Sequence, residues 1–303
     1  KKSDAQIWAR EIESKIDRGD ITNNCKSLNS IRLSDIIKRY LVEISVKKKS
    51  YNVEFFILNA FLRSDIAKLY LNELRTSDFY DYRAVRLNTV KIGTVQHELS
   101  IIKHALDVAK NEWGMPLPLN PLKKLKKLPV KNARDRRIQQ KELEAIQEAS
   151  VTTKNPVIMP MIEFAIETAM RRGEILNIEW NDIDKIKRIL HIPTAKNGYA
   201  RTIPLSIKAV EILKNMEVYN RPFPITANSL RMAWDRLTKR AGVVDLNFHD
   251  LRHEAISRFF EMGLSIPEVA LISGHRDYRM LFRYTHLKPE SLVDKINRKE
   301  LTT

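Results

Sequence analysis

Apolar residues recur at helical spacing through most of the chain. Ile7, Trp8, Ile12 and Ile16 share one face of a first stretch that Gly19-Asp20 closes. A lone helix cannot bury such a face, so residues 1–30 are expected to trail a further N-terminal domain. From Leu33 to about Trp113 the pattern is helical throughout. Ser34 can cap a helix on which Ile36, Ile37, Tyr40, Leu41 and Ile44 line one side. Further helices are expected at about 51–62, 64–72, 76–88 (capped by Thr76 or Ser77) and 94–112, the last striped by Val95, Leu99, Ile102, Leu106 and Ala109. Four or five helices without a strand signal describe a compact bundle over residues 31–120.

The pattern then breaks. GMPLPLNPLKKLKKLPVKNARDRR, residues 114–137, holds four prolines, which argue against one continuous helix. Residues 121–137 read as a linker with eight basic positions, Lys123, Lys124, Lys126, Lys127, Lys131, Arg134, Arg136 and Arg137, against the single acid Asp135. It is either a solvated connector or a strap along a phosphate backbone. The strap would position without reading sequence, and its affinity would fall steeply with salt.

A second domain is expected over 138–288, opening with a helix at Gln140-Lys141-Glu142-Leu143 and another from about Pro156. RILHIPTAKNGYARTIPLS alternates on both sides of Asn197-Gly198, so Ile189 to Ile203 reads as a β-hairpin with a type I′ turn and Lys196 at its tip. Farther on, Ile256, Phe259, Phe260 and Gly263 mark a buried stripe, with Glu254, Arg258 and Glu261 off it. Ser265-Ile266-Pro267-Glu268 is a capping box, Gly274 stops that helix, and Asp277 can cap a third on which Met280, Leu281 and Tyr284 share a side. The tail, 289–303, carries Leu292, Val293 and Ile296, able to dock on a neighbour or in cis. The expected fold is mainly α with a small β-sheet (α+β).

Composition narrows the partner. Lys plus Arg 53 against Asp plus Glu 37 gives +16, which points to a polyanion: nucleic acid first, a membrane surface second. No run approaches the ~18 apolar residues of a membrane span, and KKSDAQIWARE is too charged for a signal peptide. The single Cys25 excludes internal disulfides and fits a reducing cytosol.

Candidate chemistry gathers between His249 and His286. His249 and Arg252, three apart on a helix, leave the same face and can converge on one phosphate. Taken singly, these residues read as a surface histidine or a core tyrosine. His249 and His253 also stand at i, i+4, but no HExxH arrangement, cysteine pair or neighbouring acid completes a zinc site, so no metal is expected. Taken jointly, His-x-x-Arg, a Gly-His some 25 residues on, and Arg-Tyr with its tyrosine nine residues later closely resemble the C-terminal box of the tyrosine recombinases, the phage integrase family. Upstream, IETAMRRGEILNIEWNDID resembles that family's Thr-Gly-x-Arg-x-Gly-Glu-Leu box, with Ala169 where glycine is usual and Ile175 for leucine. Alignment through Gly173 and Glu174 puts the family's arginine at Arg171, with Glu174 placed to brace it, and Lys196 matches the hairpin lysine. HDLRHEAISRFFE and the SGHR…RYTHL ending look closest to shufflon-type DNA invertases and their phage integrase relatives.

The resemblance implies a helical, SAM-like core-binding domain before the catalytic domain, and an arm-site-binding domain before residue 1. It implies a site of Arg171, Lys196, His249, Arg252, His275 and Tyr284. Tyr284 would attack the scissile phosphate, although a phenol with pKa ~10 is protonated at neutral pH. Arg171 and Arg252 would hold the non-bridging oxygens, His275 would donate a further hydrogen bond, His249 would accept the tyrosine proton and Lys196 would protonate the departing 5′ oxygen. The product would be a 3′-phosphotyrosine link, formed without metal, ATP or other cofactor. Expected partners are double-stranded recombination sites, three further protomers in a tetramer on DNA, a DNA-bending accessory protein and a directionality factor, in the bacterial cytoplasm at the nucleoid. A monomer in free solution is compatible with the same sequence. Rival readings are a type IB topoisomerase, a non-catalytic DNA-binding or architectural protein, and a divalent-metal transposase or nuclease.

Overall fold

The computed structural model describes residue 10 and residues 28–117, 119–129, 134, 136–193 and 200–285. The helix expected near residues 7–16, the hairpin tip with Lys196, Lys131 and the tail lie outside the described residues. Two compact units divide between Ala133 and Arg134, inside the proline-rich basic segment.

In the first unit the hydrophobic stripes become four helices, α1 (Leu33–Glu43), α2 (Tyr51–Phe61), α3 (Thr76–Leu87) and α4 (Ile92–Asn111). The expected serine and threonine caps of α1 and α3 are replaced by carboxylates reaching back. Asp35 accepts from the Arg32 N–H at 2.9 Å and Asp78 from the Arg75 N–H at 2.7 Å. An acid at the third helical position both satisfies an orphan donor and opposes the helix dipole. Val95, Ile102, Leu106 and Ala109 of α4 bury against α1, which offers Ile36, Ile37 and Tyr40. The helix expected at 64–72 is only a 3-10 turn, Asp65–Lys68. Its continuation is drawn into extended pairing instead: Leu33 N–H donates to Leu69 O, and Leu71 N–H donates to Ile31 O, both at 3.0 Å.

Beyond α4 the basic segment stays on this unit. Asn120 donates to Lys103 O at 2.8 Å and accepts from Leu122 N–H at 3.0 Å, Leu122 is buried, and Arg83 donates to Lys126 O at 2.8 Å. Lys123, Lys124, Lys126 and Lys127 remain exposed.

The second unit comprises α5 (Gln140–Ser150), α6 (Ile158–Thr168), α7 (Arg172–Leu176), the strands β1 (Ile183–Asp184), β2 (Ile189–Ile192) and β3 (Arg201–Pro204), then α8 (Ile207–Asn215), α9 (Ala227–Arg240), α10 (Asp250–Glu261) and α11 (Ile266–Ser273). The central element is α6. It is apolar on most sides, as a surrounded helix must be, and both α8 and α10 pack on it. Phe164 meets Phe223 with ring centroids 5.2 Å apart. The sheet is antiparallel in the order β1-β2-β3, with Leu190, Ile192 and Ile203 turned inward. β1 has no counterpart in the expected hairpin. The register also differs: Ile192 pairs with Arg201, whereas a two-residue turn at Asn197-Gly198 would have paired it with Ile203.

Gly274 ends α11 in the left-handed region, φ 69°. The helix expected after Asp277 is instead two 3-10 turns, Tyr278–Met280 and Phe282–Tyr284. Asp277 does cap, accepting from the Arg279 N–H at 3.1 Å. The tighter winding eclipses residues three apart, which sends both Leu281 and Tyr284 into the small core formed with Ala255 and Ile256 of α10 and Val269 and Ala270 of α11. Among the described residues no helix is long and apolar enough to cross a membrane.

Candidate active site

Four chain ends meet in the second unit: the end of α6, the start of α7, the start of α10 and the end of α11. Ala169 closes α6 at φ 50°, a left-handed conformation that costs an alanine roughly 1–2 kcal/mol and a glycine little. That geometry explains why the related box carries glycine there. Two residues later Arg171 starts α7, donating from Nη1 to Glu174 Oε1 at 3.0 Å and from Nη2 to Gly274 O at 3.2 Å.

Glu174 braces more than Arg171. It also accepts from Arg201 of β3, at 3.0 and 2.7 Å. Burial alone would raise this carboxyl, but hydrogen bonds from Arg201 and from the Arg171 backbone and side chain outweigh it and hold the group at about 2. Arg201 in turn donates to Ile272 O at 3.2 Å and lies flat under Gly274, where a β-carbon would come 2.9 Å from the guanidinium. Gly274 is thus required twice, by its φ and by this close approach. Spacing alone could not have revealed Arg201, since its partner Glu174 is 27 residues away.

Arg252 is 3 % exposed, one turn into α10. It clasps the two helix ends, donating from Nη1 to Ala169 O at 2.5 Å and from Nη2 to Ser273 O at 2.6 Å. Among the described residues it has no carboxylate partner. Burial, and then the neighbouring Arg171, pull its guanidinium down to about 9, so it stays charged at neutral pH.

The histidines are neutral. His275, just past Gly274, contacts Ser273 Oγ through Nδ1 at 2.7 Å; burial, then Arg252 and Arg171, lower it to about 3. His249 sits at the start of α10, open to solvent on one side, and is lowered by partial burial and by Arg252. His253, one turn on, is lowered to about 4 by burial, then by His249 and Arg283. Tyr284 is 9 % exposed, and its hydroxyl hydrogen-bonds to His253 Nδ1, with the two rings stacked 5.7 Å apart at 28°. His253 had been weighed only as half of a metal pair. Its contact with a tyrosine 31 residues away belongs to the tertiary fold.

Arg171, His249, Arg252, His275 and Tyr284 therefore share one neighbourhood, while Lys196 lies outside the described residues. The linker arginines have carboxylate partners within this unit. Arg134 is bidentate on Asp250 at 2.9 and 3.0 Å and also reaches Asp245 at 2.9 Å. Arg137 holds Glu254 at 2.8 Å and Glu261 at 2.5 Å, and Arg136 pairs with Glu142. Asp250 and Glu254, both on α10, are buried, so Glu254 is no solvated face of that helix.

A buried tyrosine beside clustered arginines and histidines is an arrangement able to hold a phosphate and to present a phenol to it. The comparisons agree. Residues 136–291 match the phage integrase family. The chain is 38 % identical over 287 residues to a shufflon-specific DNA recombinase of Escherichia coli, covering 91 % of this chain and 74 % of the relative. Its fold matches the Tn1549 transposon integrase solved with circular intermediate DNA (TM-score 0.73, 15 % identity, 88 % of this chain and 99 % of that one). It also matches a lambda integrase tetramer bound to a Holliday junction (TM-score 0.72, 19 % identity, 84 % and 78 %). The chain belongs to the phage integrase family of tyrosine recombinases. It is a site-specific DNA recombinase, and DNA is its partner.

Proposed function

We propose that Tyr284 cleaves DNA by attacking a scissile phosphate seated on Arg171 and Arg252, leaving a 3′-phosphotyrosine and a free 5′ hydroxyl that later reverses the step. The observation that carries this reading is Arg252, a buried guanidinium that makes no ion pair among the described residues. A buried cation without its pair is costly, and a phosphate would supply two charge-assisted hydrogen bonds in compensation. Arg171 adds a second fork, and together they offset the charge that builds in the pentacoordinate transition state. His275 donates to the phosphate once the anion's field restores its proton. His249 lies on the open side of the site, where the duplex enters, and Lys196 protonates the departing 5′ oxygen. Glu174 keeps Arg171 in place. No metal, ATP or other cofactor enters these steps.

In this reading residues 31–120 form the core-binding domain and 138–288 the catalytic domain. Lys123, Lys126 and Lys127, with Arg83 and Lys103, line a cleft of about 660 Å³ in the first unit. Together with Lys124 and Lys131 they take up the phosphate backbone, so affinity falls steeply with salt. The charges of Arg134, Arg136 and Arg137 are met by their carboxylate partners, so these three add little to the attraction for DNA. Four protomers join two duplexes, as the lambda integrase tetramer does on its junction. A DNA-bending protein and a directionality factor set the outcome among integration, excision and inversion, at the bacterial nucleoid.

The test is a nicked suicide duplex, selected from a random-sequence pool by binding, incubated with protein in EDTA and run on a denaturing gel. The parent forms a covalent adduct and Tyr284→Phe does not. DNA bound without an adduct would return the chain to the non-catalytic reading.

A further inference from the structure

We propose that His253 holds the Tyr284 hydroxyl and takes its proton during strand cleavage, a role that the resemblance to the tyrosine recombinases gives to His249. This rests on Tyr284 being the nucleophile. The geometry fixes the pair in two ways. The phenol hydroxyl meets Nδ1, and the rings stack at 5.7 Å, so neither ring can turn without losing the other. His249 instead meets His253 edge-on at 5.1 Å, from the first turn of the same helix.

The surroundings keep His253 ready to accept. His249, Asp250 and Arg252 face it from α10, Arg283 and Tyr284 from the last 3-10 turn, and His275 from beyond α11. The one acid among them, Asp250, is bound by Arg134, so it cannot compete for the proton. In the tautomer that carries its proton on Nε2, the neutral imidazole accepts the phenol hydrogen bond at Nδ1, so donor and acceptor already face each other. The balance closes: Tyr284 Oη forms its bond to phosphorus, its proton passes to His253 Nδ1, the P–O5′ bond breaks, and that oxygen takes a proton from Lys196. As the Oη–P bond forms, the phenol oxygen loses basicity while negative charge grows on the phosphate, so the transfer becomes favourable as the reaction proceeds. On ligation His253 returns the proton.

The test uses a suicide duplex selected as above, its scissile phosphate mapped with the parent, made with either oxygen or sulfur at the 5′ bridging position. His253→Gln, which can accept a hydrogen bond but not a proton, should bind this DNA as the parent does. It should form adduct about 10²–10⁴-fold more slowly. Sulfur needs no proton to leave, so it should rescue Lys196→Ala and leave His253→Gln slow. The deficit should shrink about tenfold per pH unit between pH 7 and 9, as phenolate becomes available without a base. In DNA-free protein, imidazole ¹⁵N signals should show His253 protonated at Nε2 only and shifted in Tyr284→Phe. A His253→Gln rate within threefold of the parent, a deficit unchanged across pH, or an Nδ1-protonated ring would overturn the proposal while leaving Tyr284 as nucleophile. A parent protein that forms no adduct on bound DNA would overturn both.

Discussion

The two units answer their buried carboxylates alike and differ at one buried cation. In the helical unit each buried carboxylate is answered at once: Glu98 by Arg86 at 2.6 Å and the Tyr82 hydroxyl at 2.9 Å, Glu54 by Ser45, Ser50 and Lys48. In the catalytic unit Glu174, Asp250 and Glu254 are likewise paired with arginines, but Arg252, as deeply buried, hydrogen-bonds the carbonyls of Ala169 and Ser273 and, among the described residues, makes no ion pair. A closed ion pair stabilises a fold by not being left open, whereas an unanswered cation is a place kept for an anion. The difference separates a scaffold from a site, even though both look like buried polar residues.

The largest effect should come from opening that comparison at Arg252. Arg252→Met should lower adduct formation by about 10³-fold, as for loss of a transition-state donor. Its unfolding midpoint in urea should be unchanged or higher, because an uncompensated buried charge is gone. Glu98→Ala should do the reverse. It strands Arg86 and Tyr82, costs the helical unit about 3 kcal/mol by urea unfolding, and leaves the chemistry of bound DNA unchanged.

These contrasts show what the sequence could and could not display. Arg171, His249, Arg252, His275 and Tyr284 stood out only jointly, because the boxes that hold them resemble those of the tyrosine recombinases; singly they read as surface or core residues. The role of the linker arginines was hidden. Their run of positive charge is visible, but the carboxylates that Arg134 and Arg137 hold lie 111 to 124 residues farther on. Arg201 and His253 were silent on the same ground. The 3-10 form of the Tyr284 segment was also illegible, since an α-helix would have satisfied the same apolar pattern and only the fit of Leu281 and Tyr284 against α10 and α11 decides between them.

Acid should cause a smaller effect, whose part above pH ~4.5 arises in the catalytic unit. His253 and His275 have folded values of about 4 and about 3, below the ~6.5 of an unfolded histidine, so unfolded chains bind the extra protons. The stability they allow is complete above pH ~6.5 and is lost as pH falls from there toward those folded values. Glu174, held at about 2, adds a second loss below pH ~4.5. Thermal unfolding followed from pH 7.5 to pH 4 should show this decline, and replacing both histidines with glutamine should flatten the upper part of it.

The smallest effect should be at Ala169. Ala169→Gly relieves a left-handed alanine worth roughly 1–2 kcal/mol but removes a buried methyl worth about 0.8 kcal/mol. The net change in unfolding free energy should be under about 1 kcal/mol with cleavage retained, because the carbonyl that receives Arg252 is unchanged.

The most direct measurement of the central claim is peptide mapping of the trapped covalent complex after nuclease digestion. Mass spectrometry should find a nucleotide joined through its 3′ phosphate to Tyr284. A nucleotide on any other residue, or cleaved DNA with no protein attached, would contradict the account.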